Sequence, residues 1–319
     1  MHAYDELIRA LTPARSVILL SHLRPDGDAY GSALGLGLCL RALGKAVRIF
    51  NRDGLSQTYR FLPHAELIER TPARLPEADL IIALDTSTEE RLGLVDSLKP
   101  VVNVSVDWNI DHHVSNTGYG RRQFITPSQP ATAGIILDLI TTANWPLMTD
   151  IATALYVGLL TDTGSFHHRG TNAHTFDQAA RLVAAGADPT ALARHCYQNI
   201  SPTSFKLQQR AWTNWQFEGA LAHTTLTAQD FTDCGALPED TEGIVETGLT
   251  VSGTELSAFF ELKADGGLKV SLRSKDAINV SDLAVTFGGG GHPGAAGIGF
   301  KQDGAANRQL VLDKLRKAL

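Results

Sequence analysis

Four stretches of this 319-residue chain place acids or histidines directly behind apolar runs. The first is His22-Leu23-Arg24-Pro25-Asp26-Gly27-Asp28, where Pro25 and Gly27 impose a tight turn that can aim His22, Asp26 and Asp28 at one point. The second is Asp85, behind Leu80-Ile81-Ile82-Ala83-Leu84; the third is Asp111-His112-His113; the fourth is Asp162, in Leu160-Thr161-Asp162-Thr163-Gly164. Each alone has a plainer reading. Pro-Asp-Gly-Asp is a turn whose Asp28 would cap the next helix, and an Asp at a strand end is usually a turn or cap residue. Adjacent histidines tend to point in different directions, so one can bind a metal while the other faces a substrate, with Asp111 orienting a ring by accepting its N–H. An acid at a helix C-terminus opposes the helix dipole and welcomes a cation. The combination is more telling than its parts: His22, Asp26, Asp28, Asp85, His112 and Asp162 supply four carboxylates and two imidazoles. Carboxylates converging on one spot repel unless cations sit among them. An oxygen-rich set with two imidazoles suits Mn²⁺, with Mg²⁺ or Co²⁺ as alternatives.

Such residues converge only if the elements behind them do. Val17–Leu20, Val47–Phe50, Leu80–Leu84 and Val101–Val106 read as short strands apolar on both faces, with a helix over 32–43 between the first two. This spacing predicts a mostly parallel sheet with helices on both faces, whose strand ends converge on one edge. Helices are expected over 133–143, 151–160 and 173–185. From Ala220 the pattern changes to antiparallel candidates, Leu221–Leu226, Leu256–Leu262 and Leu268–Arg273, the last two joined by the turn Asp265-Gly266-Gly267. A helix is expected from Ala305. The predicted organisation is an α/β catalytic domain over 1–188, a helical connector over 189–219 and a smaller mixed α/β domain over 220–319. Trp212 and Trp215, on the connector, read as packing residues.

The C-terminal domain carries Gly288-Gly289-Gly290-Gly291-His292-Pro293-Gly294-Ala295-Ala296-Gly297. Successive glycines allow positive φ and close backbone approach, so their N–H groups can form an anion-binding nest with His292 at its lip. The run is not a P-loop, because the Gly-Lys-Ser/Thr ending is missing.

The four spaced motifs over roughly the first 165 residues resemble those of the DHH phosphoesterase superfamily, whose namesake motif is Asp111-His112-His113 here. The glycine run, with Ser271-Leu272-Arg273-Ser274-Lys275 before it, resembles the DHH-associated C-terminal domain and is most similar to the nano-RNase/pAp-phosphatase branch. The resemblance implies that His22, Asp26 and Asp85 bind one divalent metal, and that Asp28, Asp85, His112 and Asp162 bind a second, with Asp85 bridging. It implies that His113 contacts the phosphate under attack, and that Arg273, Ser274, Gly289, Gly290, Gly291 and His292 bind substrate. The implied activity is Mn²⁺-dependent hydrolysis of short RNA or DNA oligonucleotides and dinucleotides such as pApA to nucleoside 5′-monophosphates, and of pAp to AMP. Rival readings are a cyclic-dinucleotide phosphodiesterase, a Mn²⁺-dependent inorganic pyrophosphatase, and a nucleotide-binding regulator without catalysis. One departure is Thr88, where a polar or acidic residue after Asp-Thr-Ser is more usual.

Composition agrees with a folded protein acting on small anions. The chain is 43% hydrophobic and 19% charged, with a net charge of −6. An acidic surface argues against coating long duplexes, though a metal or a local arginine can hold a short anionic ligand. Cys39, Cys196 and Cys234 form no CxxC pair, which disfavours a disulfide framework or a thiolate zinc site. The N-terminus lacks the basic and apolar regions of a signal peptide, and no apolar run reaches membrane-span length. A cytoplasmic protein without a membrane partner is expected, with a homodimer left open.

Overall fold

A computed structural model describes residues 4–96, 99–100, 105–168, 170–275 and 278–319. They form two compact units, Met1–Asn199 and Ile200–Leu319. The first opens with α1 (Asp5–Leu11) and continues through β1 (Ser16–Leu20), α2 (Gly27–Ala42), β2 (Ala46–Asn51), β3 (Ile68–Arg70) and β4 (Leu80–Leu84). A small ribbon, β5 (Val95–Asp96) with β6 (Lys99–Pro100), precedes β7 (Trp108–Asp111) and β8 (Arg122–Ile125). Helices α3 (Thr132–Thr142), α4 (Thr149–Asp162), α5 (Ala173–Ala184) and α6 (Pro189–Tyr197) complete the unit.

Six strands make one parallel sheet in the order β3-β2-β1-β4-β7-β8. The chain winds outward from β1 to β3, then returns to β4 on the other side of β1. That reversal opens a crevice at the carboxyl ends of β1 and β4, the usual ligand position in such sheets. Val17, Leu19, Ile82, Leu84 and Ile110 pack into a large core with α1 to α4. The alternate positions Ile18, Leu20 and Ala83 pack into a smaller cluster with Leu75, Leu92, Leu94 and Val106. This is the two-sided burial that made the strands read as unbroken apolar runs. Of the expected strand Val101–Val106, residues 101–104 lie outside the described residues. The strand leading into the histidine pair is β7, whose four residues are all buried. Helix α2 begins at Gly27, five residues earlier than expected, because Asp26 rather than Asp28 caps it by accepting from the N–H groups of Asp28 and Ala29.

Helices α2 and α4 cross so closely that a Cβ on Gly31 would lie 2.5 Å from the Ala154 carbonyl oxygen. One on Gly158 would lie 2.7 Å from the Ala133 Cβ and 2.8 Å from Asp28 Oδ1. Close approach, rather than a turn, requires glycine here, and it brings the start of α2 to the last turn of α4.

The second unit contains α7 (Pro202–Asn214), β9 (Gln216–Glu218), β10 (Leu221–Thr227), α8 (Ala228–Cys234), α9 (Ile244–Leu249), β11 (Leu256–Leu262) and β12 (Leu268–Ser274). It ends with α10 (Val280–Val285), β13 (Gly290–His292), β14 (Ala295–Phe300) and α11 (Gly304–Arg316). Its sheet runs β13-β14-β12-β11-β10-β9. The hairpin at Asp265–Gly267 forms as expected, with the Gly267 N–H donating to Asp265 Oδ1 at 2.9 Å. β10 and β11, read as antiparallel from sequence, pair in parallel instead. The segment between them carries α8 and α9, long enough for the crossover that a parallel pair needs. The stretch 189–219 divides between the units: α6 packs on α4 in the first, and α7 packs on β10 in the second. Trp215 packs against a core with Leu207, Leu226 and Phe259, whereas Trp212 is exposed.

Candidate metal centre

Two residues past the end of β1, His22 is almost fully buried; immediately past the end of β4, so is Asp85. Asp85 keeps the ladder by donating its N–H to the Ile110 carbonyl at 3.0 Å, then turns with φ of 54°. Aspartate enters the left-handed region more readily than most residues, and strain of this kind concentrates at functional sites. The turn sets its carboxylate between two imidazoles. His22 Nε2 lies 3.4 Å from Asp85 Oδ2 and 3.7 Å from Asp26 Oδ2. On the other side, His112 Nε2 lies 3.5 Å from Asp85 Oδ1 and 3.1 Å from Asp162 Oδ2.

The donors thus fall into groups linked through Asp85 and His112. Donor atoms of His22, Asp26 and Asp85 lie within 4.8 Å of one another, as do those of Asp28, His112 and Asp162. A further group joins Asp85 to Asp111, His112 and His113. The six residues named as ligands from sequence therefore come together at one strand edge and the adjoining helix ends.

Secondary contacts fix how each ligand is presented. The rings of His22 and His112 can donate from Nδ1 to the carbonyls of Leu23 (2.8 Å) and Gln129 (3.3 Å), which leaves Nε2 available to coordinate a metal in both. Asp28 accepts the N–H groups of Thr132 (2.6 Å) and Ala133 (2.9 Å) at the start of α3, one on each oxygen. Each oxygen keeps a second lone pair, so this anchoring is compatible with ligation. Thr132 Oγ1 also donates to Asp85 Oδ1 at 3.1 Å. Sequence reasoning missed Thr132 and Gln129, since nothing in their type or spacing separates them from ordinary helix-start and loop residues.

Asp111 has a different role from the other acids. It is fully buried and accepts from His113 Nδ1 (2.6 Å), the His112 backbone N–H (2.9 Å) and Asn116 Nδ2 (2.6 Å). Burial opposes its ionisation, but the bond from His113 and the neighbouring donors outweigh it and bring its pKa down to about 2. Asp111 therefore orients His113. Asn116, three residues beyond His113, holds Asp111 in turn.

The electrostatics fit a cation site. Burial, then the charge of Asp162, pushes Asp28 up to about 7. Burial, then Asp28, raises Asp85 well above the usual carboxylate range, and burial with Asp26 does the same to Asp162. For His22, burial works against the charged form, yet its bonds to Asp26 and Asp85 prevail and raise it to about 10. The same two carboxylates that favour a proton on His22 would favour a metal cation in its place. Oxygen donors with two Nε2 atoms suit hard to borderline divalent ions.

The expected substrate-binding residues lie in the second unit. Arg273, on β12, donates from Nε to Glu246 Oε1 at 2.8 Å and from Nη1 to the Leu272 carbonyl at 3.0 Å. The Ser274 hydroxyl donates to the Ile278 carbonyl at 2.6 Å, so it is committed to its own loop. The glycine run is not an open nest. The N–H groups of Gly288 and Gly289 donate to the Val285 and Ala284 carbonyls at the end of α10, and Gly290 and Gly291 pair with β14. A Cβ on Gly289 would lie 2.2 Å from the Gly297 carbonyl oxygen, so strand packing demands glycine there. His292 pairs with Ala295 through its backbone; its side chain lies outside the described residues. Among the described residues, no helix is long and apolar enough to cross a membrane.

Comparison with known proteins agrees with this geometry. Residues 16–159 match the N-terminal domain of the DHH family, and residues 226–319 match the DHHA1 domain. The bifunctional oligoribonuclease and PAP phosphatase NrnA of Thermus thermophilus is 34% identical over 95% of this chain and 90% of its own. The Bacillus subtilis protein of the same name is 28% identical, with 96% of each chain covered. In fold, an exopolyphosphatase-related protein from Bacteroides fragilis superposes with a TM-score of 0.89 at 24% identity, covering 99% of this chain and 96% of that one. Four motifs converging on one edge, both domain matches and near full-length similarity lead to one assignment: the chain belongs to the DHH family, alongside proteins named NrnA.

Proposed function

We propose that this chain hydrolyses short RNA or DNA oligonucleotides, including dinucleotides such as pApA, to nucleoside 5′-monophosphates, and pAp to AMP, with two divalent ions, Mn²⁺ in preference to Mg²⁺ or Co²⁺. The observation that carries this reading is Asp85, whose two oxygens face two separate imidazoles. In it, His22, Asp26 and Asp85 hold one ion, and Asp28, Asp85, His112 and Asp162 hold the other.

Bound there, the ions supply a water acidified toward neutrality and positive charge for the phosphate oxygens. The chain supplies the rest. Asp111 fixes the His113 tautomer by accepting from Nδ1 at 2.6 Å, which leaves Nε2 to meet a non-bridging phosphate oxygen. Burial, then the opposing pull of Asp111, leaves His113 below its ordinary pKa. Thr132 and Ala133 hold Asp28 through backbone N–H groups, so it need not reorganise during turnover. Substrate selection falls to Arg273 and His292. Among the glycines, Gly290 and Gly291 retain a backbone role in substrate binding, while Gly289 serves packing.

The direct test is Asp85→Ala. A folded variant should lose nearly all hydrolysis of pAp and pApA, together with much of its Mn²⁺ affinity by calorimetry. Full activity of that variant in the presence of chelator would overturn the two-ion reading.

A further inference from the structure

Arg91 was not singled out by any motif, yet its guanidinium reaches the metal centre. Its Nη2 lies 3.2 Å from His22 Nδ1, and its charge is among the causes that lower His113. The His22 ring already has the Leu23 carbonyl at 2.8 Å for its Nδ1–H, so the ring nitrogen is not free to accept from Arg91. Among the described residues no carboxylate pairs with this guanidinium.

The backbone beneath it is held rigidly. Arg91 lies in a short 3₁₀ turn, Glu89–Leu92, which the Gly93 left-handed residue closes. Its carbonyl accepts the Leu23 N–H, and its own N–H donates to Thr88. Leu92 and Leu94 anchor the turn in the core cluster below the sheet. A rigid backbone holding an arginine against the His22 imidazole, with no carboxylate paired to it among the described residues, is an arrangement for meeting an anion that arrives.

The charge balance of the centre gives that anion a place. Two divalent ions would offset the four carboxylates proposed as ligands, and Asp111 adds a negative charge that the cluster does not cancel. A phosphate ester brings more negative charge, and a guanidinium fits its oxygens in a planar, bidentate manner that lysine cannot match.

We propose that Arg91 is a catalytic residue of this chain that grips the phosphate being hydrolysed, opposite His113. The inference rests on the two-ion reading and deepens it by adding a protein cation for the reacting phosphate.

The test compares wild type, Arg91→Ala and Arg91→Lys in three measurements: calorimetric Mn²⁺ affinity, calorimetric AMP affinity of the Mn²⁺-loaded protein, and kcat/KM for pAp. Loss of one charged hydrogen-bonding group should lower AMP affinity and kcat/KM about ten- to a hundredfold in Arg91→Ala. Arg91→Lys should recover part of that, and Mn²⁺ affinity should stay within about twofold in both. Parallel loss of Mn²⁺ affinity would make Arg91 a prop for His22 and overturn the proposal, and unchanged AMP affinity would overturn it too. Failure of the two-ion reading would instead show as wild-type hydrolysis in chelator, whatever the Arg91 variants do.

Discussion

Asp111, His112 and His113 are neighbours in sequence with three different surroundings. His112 directs Nε2 toward Asp85 and Asp162, whereas His113 is tied through Nδ1 to Asp111. The two imidazoles should therefore fail differently. His112→Ala should weaken Mn²⁺ binding by about tenfold or more, since a lost direct ligand costs at least as much as a lost supporting contact. His113→Ala should keep Mn²⁺ affinity and lower kcat by about a hundredfold or more, the usual loss for one donor to a developing charge. Equal loss of affinity in both variants would contradict this division of roles. The convergence of these side chains was legible in the sequence because strongly charged side chains gathered behind apolar strands are costly without a purpose. Their supporting contacts were not, since Gln129 acts through a carbonyl and Thr132 through a backbone N–H, which every residue carries.

At the scale of elements, the strands β1, β2 and β4 were visible as short apolar runs because both faces of the sheet are buried. The direction of β10 against β11 was not, because apolar patterning reports which face is buried and says nothing of strand direction. The glycine run likewise looked like a phosphate cradle, while Gly289 answers to the Gly297 carbonyl and to α10. Under the proposed function, this shifts attention in the second unit toward β12. Arg273, half-buried and paired with Glu246, lies on that strand. If the second unit reads substrate through it, Arg273→Ala should raise KM for pAp or pApA about ten- to a hundredfold. Hydrolysis of bis-p-nitrophenyl phosphate, which offers no second phosphate or base to hold, should change much less. Equal losses on both substrates would leave Arg273 a structural residue bracing α9 against β12.

For the molecule as a whole, the net charge of −6 fits the proposed reading, in which a few local cations rather than a broad basic surface hold the substrate. Long single strands need an extended basic track, with several phosphates neutralised at once. The central claim is hydrolysis of short phosphate esters by a two-ion centre. It is tested most directly by resolving the products from pAp, pApA, a long single-stranded RNA, a cyclic dinucleotide and pyrophosphate, offered separately at equal concentration with Mn²⁺. AMP should accumulate rapidly from pAp and pApA, with chelator abolishing it, and the long strand should be consumed far more slowly. Degradation of the long strand as fast as pApA, or turnover of pyrophosphate or the cyclic dinucleotide ahead of both short substrates, would contradict the account.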